Sequence, residues 1–139
     1  MPTECLFCAI AADEKHAAIV FDSGDVLGFL DHRPLFKGHT LVIPRVHHVA
    51  LPSLPADLLT AVFAAAQRLA ALMPETLGAQ GTFVAMNNIV SQSVPHVHVH
   101  VVPRTKGDGL RGFFWPRTRY DEAEAEQYAA RLAAAWATD

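Results

Sequence analysis

The 139-residue sequence predicts an α+β domain: a mainly antiparallel five-stranded sheet with a long central helix and a C-terminal helix. Three observations predict it. Short β-prone stretches follow one another closely, with turn residues between them. Two Ala-rich stretches carry apolar residues at helical spacing. The helical stretches stand apart from the strands and do not alternate with them, which favours antiparallel pairing over a wound parallel sheet. Neither a repeat nor a low-complexity linker interrupts the chain, so residues 1–139 read as a single domain.

Residues 17–31, AAIVFDSGDVLGFLD, read as two strands, with Asp22-Ser23-Gly24-Asp25 supplying the hairpin turn. His39 to Pro44 is a third strand, entered through Lys37-Gly38 and ended by Pro44. A helix runs from Ser53 to about Met73, capped by Ser53 and with Pro55 in its first turn. Leu58, Leu59, Val62, Phe63, Ala66, Leu69, Ala70 and Met73 form its apolar stripe. Thr82 to Asn87 and His96 to Val102 are the fourth and fifth strands. Asp121 and Glu124 resemble a capping box that opens a last helix to about Trp136, with Tyr128, Leu132 and Trp136 along one face.

Composition narrows the function. A net charge of −3 gives no electrostatic footprint for nucleic acid or an anionic membrane, although a pocket can still be locally basic. No apolar run approaches a membrane span in length. The start, MPTECLFCAI, lacks a basic region followed by an apolar stretch, so no signal peptide is expected and a cytoplasmic location is the default. There, two cysteines read as thiols or metal ligands and not as a disulfide.

The most informative stretch is Ser93-Val-Pro-His-Val-His-Val-His-Val-Val-Pro-Arg104. Strand periodicity sends His96, His98 and His100 to one face and Val97, Val99 and Val101 to the other. A merely solvent-facing strand row has little reason to be three imidazoles. Neutral histidine can be a nucleophile, a proton donor or acceptor, or a metal ligand.

His96-Val-His-Val-His-Val-Val102 matches the pattern of the histidine triad (HIT) family. The chain also resembles that family at Cys5-Leu-Phe-Cys-Ala-Ile10, Gly28-Phe-Leu-Asp31, Gly38-His-Thr-Leu-Val-Ile-Pro-Arg-Val-His47, Met86-Asn-Asn88 and Gln92-Ser-Val94. The closest likeness is to its Hint-type, zinc-bearing bacterial branch. The resemblance implies the HIT fold and an enzyme, a nucleotide hydrolase or nucleotidyl transferase. Its substrates would be purine nucleoside phosphoramidates or related adenylyl compounds, cleaved at the α-phosphate through a nucleotidyl-histidine intermediate. It implies His98 as nucleophile, His100 on the α-phosphate, His39 beneath the triad as its orienting group, and Ser93 near the leaving group. It places Gln92 and Asn87 on the phosphate and ribose, Asp31 on the ribose hydroxyls, and Phe7, Ile10 and Phe29 around the base. Taken alone, Ser93 and Gln92 also suit a turn cap, Asp31 a turn aspartate, and the three apolar residues a core. One departure stands out: the loop Asn87-Asn-Ile-Val-Ser-Gln-Ser-Val94 is shorter than the common family version and lacks its glycines, which let backbone amides approach phosphate.

Cys5 and Cys8 form C-x2-C. With His47 of Pro44-Arg-Val-His47 and His96 they suit a closed tetrahedral zinc site, and the resemblance implies the same four ligands for a structural zinc. Buried thiols and a redox pair are the other readings; no βαβ unit surrounds the motif to favour the latter. Competing functions are diadenosine polyphosphate hydrolysis, a purine nucleotide-binding regulatory protein with little turnover, and a catalytic metal held by His96, His98 and His100. The resemblance implies a homodimer. The aromatic stretch Gly112-Phe-Phe-Trp-Pro-Arg117 could cross that interface, close over the site or pack on its own domain.

Overall fold

The computed structural model describes residues 4–110 and 116–138. Most of the aromatic stretch 112–117 therefore lies outside the described residues. The chain forms two compact units, Met1–Asp108 and Gly109–Asp139.

The first unit is built on five antiparallel strands: β1 (Ile19–Asp22), β2 (Val26–Leu30), β3 (Thr40–Pro44), β4 (Gly81–Ala85) and β5 (Val99–Arg104), in the order β1-β2-β3-β5-β4. The β1–β2 turn forms as its composition requires. Gly24 takes φ +94°, its N–H bonds the Asp22 carboxylate at 2.9 Å, and the Ser23 N–H bonds the Val26 carbonyl at 2.9 Å.

The central strands β2 and β3 are apolar on both faces because both are covered. Val26, Val42, Val99 and Val101 face helix α2 (Ala56–Leu77), which contributes Val62, Ala66, Leu69 and Met73. Leu27, Phe29, Leu41 and Ile43 form the opposite face with Cys5, Phe7 and Ile10 of the N-terminal segment. Period-two alternation puts His98 and His100 on this second face, away from α2.

Helix α2 corrects the expected boundaries. Ser53 does not cap it. That residue ends a 3-10 turn, Leu51–Ser53, and donates its hydroxyl to the Ala50 carbonyl at 2.9 Å, while Pro55 holds the N-cap position without a side-chain bond. The helix also runs past Met73, through Pro74. It stops where Gly78 enters the left-handed region at φ +72° and returns its N–H to the Pro74 carbonyl. Of the expected stripe, Leu59 and Phe63 are exposed and only Val62, Ala66, Leu69 and Met73 are buried. At 22 residues the helix is long and apolar enough to cross a membrane, contrary to the expectation that no run approaches that length. Its buried face identifies it as the core helix of the sheet.

The fifth strand begins three residues late, at Val99, where its pairing with Val42 starts. Before it, the Val97 N–H bonds the His48 carbonyl at 2.7 Å, and the Pro44 carbonyl is taken by the His96 ring. Helix α1 (Leu6–Ala11) was not expected from the sequence. Cys5 is its N-cap, its sulfur accepting the Cys8 N–H at 3.4 Å.

The second unit carries α3 (Glu124–Ala137). The expected capping box is half present: Glu124 accepts the Asp121 N–H at 2.9 Å, while Ala123 occupies the N-cap position in the left-handed region.

Candidate functional site

Three buried or half-buried histidines owe their protonation pattern to the backbone around them. The Leu35 N–H donates to His39 Nδ1 at 3.1 Å, so the proton of a neutral His39 resides on Nε2. That Nε2–H donates to His100 Nδ1 at 2.9 Å. His100 therefore presents a second N–H, on its own Nε2. His98 is fixed differently. Its Nδ1–H donates to the His96 carbonyl at 2.8 Å, leaving the Nε2 lone pair bare. The His98 and His100 rings lie 5.0 Å apart, and Phe7 packs edge-on to His98 at 5.0 Å.

All three histidines have depressed pKa values, chiefly because burial disfavours the charged ring. His100 falls to about 4, with His98 and His39 adding to the effect. For His39 and His98 burial is again the main cause, opposed at His39 by Asp31 and at His98 mainly by its bond to the His96 carbonyl. The neutral forms that the hydrogen bonds require are thus the stable ones.

The His98 and His100 rings open on a cavity of about 760 Å³. Phe7, Ile10, Phe29, Asp31, Ser93, His98 and His100 all line it, as expected. Asp31 does double duty: one oxygen accepts the Arg33 N–H at 2.9 Å, as in a turn, and the other lies 3.8 Å from His39 Nε2. His39 stands behind His100 and is not part of the wall. Asn87 and Gln92 are not brought to the cavity. Asn87 donates to the Ser91 carbonyl at 3.2 Å; Gln92 donates to the Val49 carbonyl at 2.6 Å and accepts the Ile89 N–H at 3.0 Å. They shape a loop that takes left-handed turns without glycine, at Ile89 (φ +69°) and Ser91 (φ +61°). Each such residue costs roughly 1–2 kcal/mol, which the amide bonds of Gln92 and Asn87 offset. Sequence reading missed Lys15, His16 and His32 in the cavity wall.

His96 belongs to another site. Its Nε2–H donates to the Pro44 carbonyl at 2.8 Å, turning Nδ1 toward Cys5 Sγ at 3.4 Å and Cys8 Sγ at 3.6 Å. His47 Nδ1 lies 3.4 Å from Cys8 Sγ, and the four donor atoms are all within 4.8 Å of one another. A tetrahedral ion with metal–sulfur bonds near 2.3 Å and metal–nitrogen bonds near 2.05 Å requires N···S separations of about 3.5 Å. The donor set and its spacing fit zinc. Burial, with Cys5 beside it, pushes the Cys8 thiol up to about 11; a bound dication reverses that balance and holds thiolates. The triad is therefore divided. Among the described residues His96 groups with Cys5, Cys8 and His47, and His100 with Asp31 and His39, so the three histidines do not converge on one catalytic ion.

The chain is similar to proteins already known. An uncharacterised HIT-like protein of Mycobacterium tuberculosis is 42% identical over 76% of this chain and 75% of its own length. An adenosine 5′-monophosphoramidase of Candida albicans is 29% identical over 84% of this chain and 81% of its own. The crystal structure of a zinc-bound histidine triad family protein from Mycobacterium smegmatis superposes with a TM-score of 0.74 at 36% identity, covering 98% of each chain. The HIT domain profile matches residues 12–107; the chain belongs to the HIT family.

Proposed function

We propose that the protein is a hydrolase that cleaves purine nucleoside phosphoramidates, or related adenylyl compounds, at the α-phosphate. The observation that carries this reading is His98: its Nδ1–H is held by a carbonyl and its Nε2 lone pair is left at the wall of a nucleotide-sized cavity. In the first step Nε2 attacks the α-phosphorus. The N–P bond forms as the bond to the leaving amine breaks, its electron pair leaving with the amine, which takes a proton from Ser93. The His96 carbonyl stabilises the positive charge that develops on the His98 ring. His100 Nε2–H donates to a non-bridging oxygen, and His39 keeps His100 in that tautomer. Water then attacks phosphorus, its proton restoring the Ser93 hydroxyl, and His98 leaves with the N–P electron pair as the neutral ring. Asp31 takes the ribose hydroxyls, and Phe7, Ile10 and Phe29 take the base.

Structural zinc on Cys5, Cys8, His47 and His96 completes this reading, supplying a cross-link between α1 and the segment that carries the nucleophile. So does a homodimer, supported by the apolar side chains Leu59 and Phe63 on α2 and Val84 on the edge strand β4, all more than a third exposed.

The test is turnover of adenosine phosphoramidate and of diadenosine polyphosphates by wild type and His98→Ala, with acid-free trapping of adenylyl-protein. Wild type is expected to hydrolyse the phosphoramidate and form the adduct. His98→Ala is expected to form none and to lose at least roughly 10³-fold in rate. A wild type that binds AMP but neither turns over nor labels would make the protein a nucleotide binder. Preference for the dinucleotide would move the substrate class to polyphosphates.

A further inference from the structure

The cavity wall carries a second set of polar residues. Lys15, His16 and His32 line it together with Asp31, far from the triad in sequence. Ile19 pairs with Phe29, and the Leu30 N–H bonds the Ala18 carbonyl at 2.9 Å. The paired strands end there, at Ile19 and Leu30, so residues 15–18 and 31–32 are the segments that leave the ladder at this edge of the cavity. His32 lies close to the Asp31 carboxylate, at 3.8 Å, and its side chain is 83% exposed.

Charge gives this set a purpose. Among the described lining residues, Lys15 and Asp31 are the two with a full formal charge at neutral pH. The triad offers a lone pair on His98 and an N–H on His100, but no fixed cation. A wall meant only for an uncharged base and ribose has no need of an ammonium and two imidazoles. The imidazoles donate N–H groups that suit phosphate oxygens, and the ammonium supplies the attraction.

We propose that Lys15, His16 and His32 form an anion-binding rim that selects nucleotides carrying a second phosphate on the ribose. The inference rests on the proposed function for the orientation of the nucleotide: Asp31 takes ribose hydroxyls, so groups beside Asp31 meet the sugar, whereas the leaving group departs at the Ser93 end. The rim is a specificity element. It touches no reacting atom and acts by tightening binding of the doubly phosphorylated ligand.

The experiment is direct binding by calorimetry of AMP, ADP, and adenosine 2′,5′- and 3′,5′-bisphosphates, to wild type and to Lys15→Ala/His16→Ala/His32→Ala. One of the bisphosphates is expected to bind wild type roughly tenfold tighter than AMP at low salt, a gain of the size a few partly exposed charge contacts provide. The triple variant is expected to lose that gain, its ratio of bisphosphate to AMP affinity falling to about one, and high salt to erode the gain in wild type. Bisphosphates no tighter than AMP, or a gain that survives the triple variant, would overturn the rim. An equal gain for ADP would place the second phosphate at the leaving-group end and overturn the ribose assignment. Failure of wild type to bind any of the four nucleotides would bring down the nucleotide reading itself, which separates that failure from failure of the rim. Melting curves of the triple variant confirm that it is folded.

Discussion

At the scale of single residues, the site is a set of tautomers written by main-chain groups. A strand period makes the three histidines share a face, which the sequence shows directly. It does not show that the Leu35 amide, the His96 carbonyl and the Pro44 carbonyl set which nitrogen of His39, His98 and His96 carries the proton. Those partners are atoms every residue has, so no side-chain motif announces them. The roles of Asn87 and Gln92 were illegible for a related reason: amides can serve phosphate or backbone equally, and here they bond loop backbone. His39 gives the sharpest residue-level prediction. His39→Ala removes the donor to His100 Nδ1 and frees that ring to reverse its tautomer. Its kcat is expected to fall roughly 10- to 100-fold, the usual effect of losing an orienting partner, with AMP affinity nearly unchanged. Equal losses in kcat and nucleotide affinity would instead mean that His39 supports the cavity as a whole. His39→Gln, which keeps a donor, is expected to recover part of the rate.

At the scale of elements, local chemistry was legible where it is self-contained. The Asp22-Ser23-Gly24-Asp25 turn and the apolar stripe of α2 could be read because neighbours in sequence make their own bonds. Boundaries failed where a distant group intervened. The fifth strand starts late because the Pro44 and His48 carbonyls are already engaged by the His96 ring and the Val97 amide. Helix α1, only six residues long, is too short to show a period, and its cap is a cysteine. Gly28 illustrates an element-level constraint. It faces Phe21 across the β1–β2 ladder, and a Cβ there would run into the Phe21 ring. Gly28→Ala is expected to cost about 1–3 kcal/mol as the ring is displaced, read as a lowered Tm. Gly24→Ala, in open space at φ +94°, strains only the turn and is the comparison.

At the scale of the whole molecule, the α+β class was predictable from periodicity, but the covering of the second sheet face by Cys5, Phe7 and Ile10 was not. Nor was the division at residue 108, because no composition shift marks it. What joins the distant parts of the first unit is α1. Its Cys5 and Cys8 turn toward His47 and His96, while Phe7 and Ile10 stand in the cavity wall. A helix this short has little stability of its own, so it is held from both sides at once. Thermodynamic reciprocity follows. If a metal on one side steadies the wall on the other, then nucleotide must steady the metal by the same factor. Zinc affinity, read by competition with a chelator at equilibrium, is expected to rise several-fold when AMP saturates the cavity, and AMP affinity to fall by the same factor after metal is stripped. Cys5→Ser is expected to carry less than one zinc per chain and to lose the mutual effect. Were AMP to leave zinc affinity untouched, the two sides of α1 would be independent neighbours. If the effect is found, the fraction of chains holding zinc sets how much nucleotide the protein retains, although the two ligands never meet.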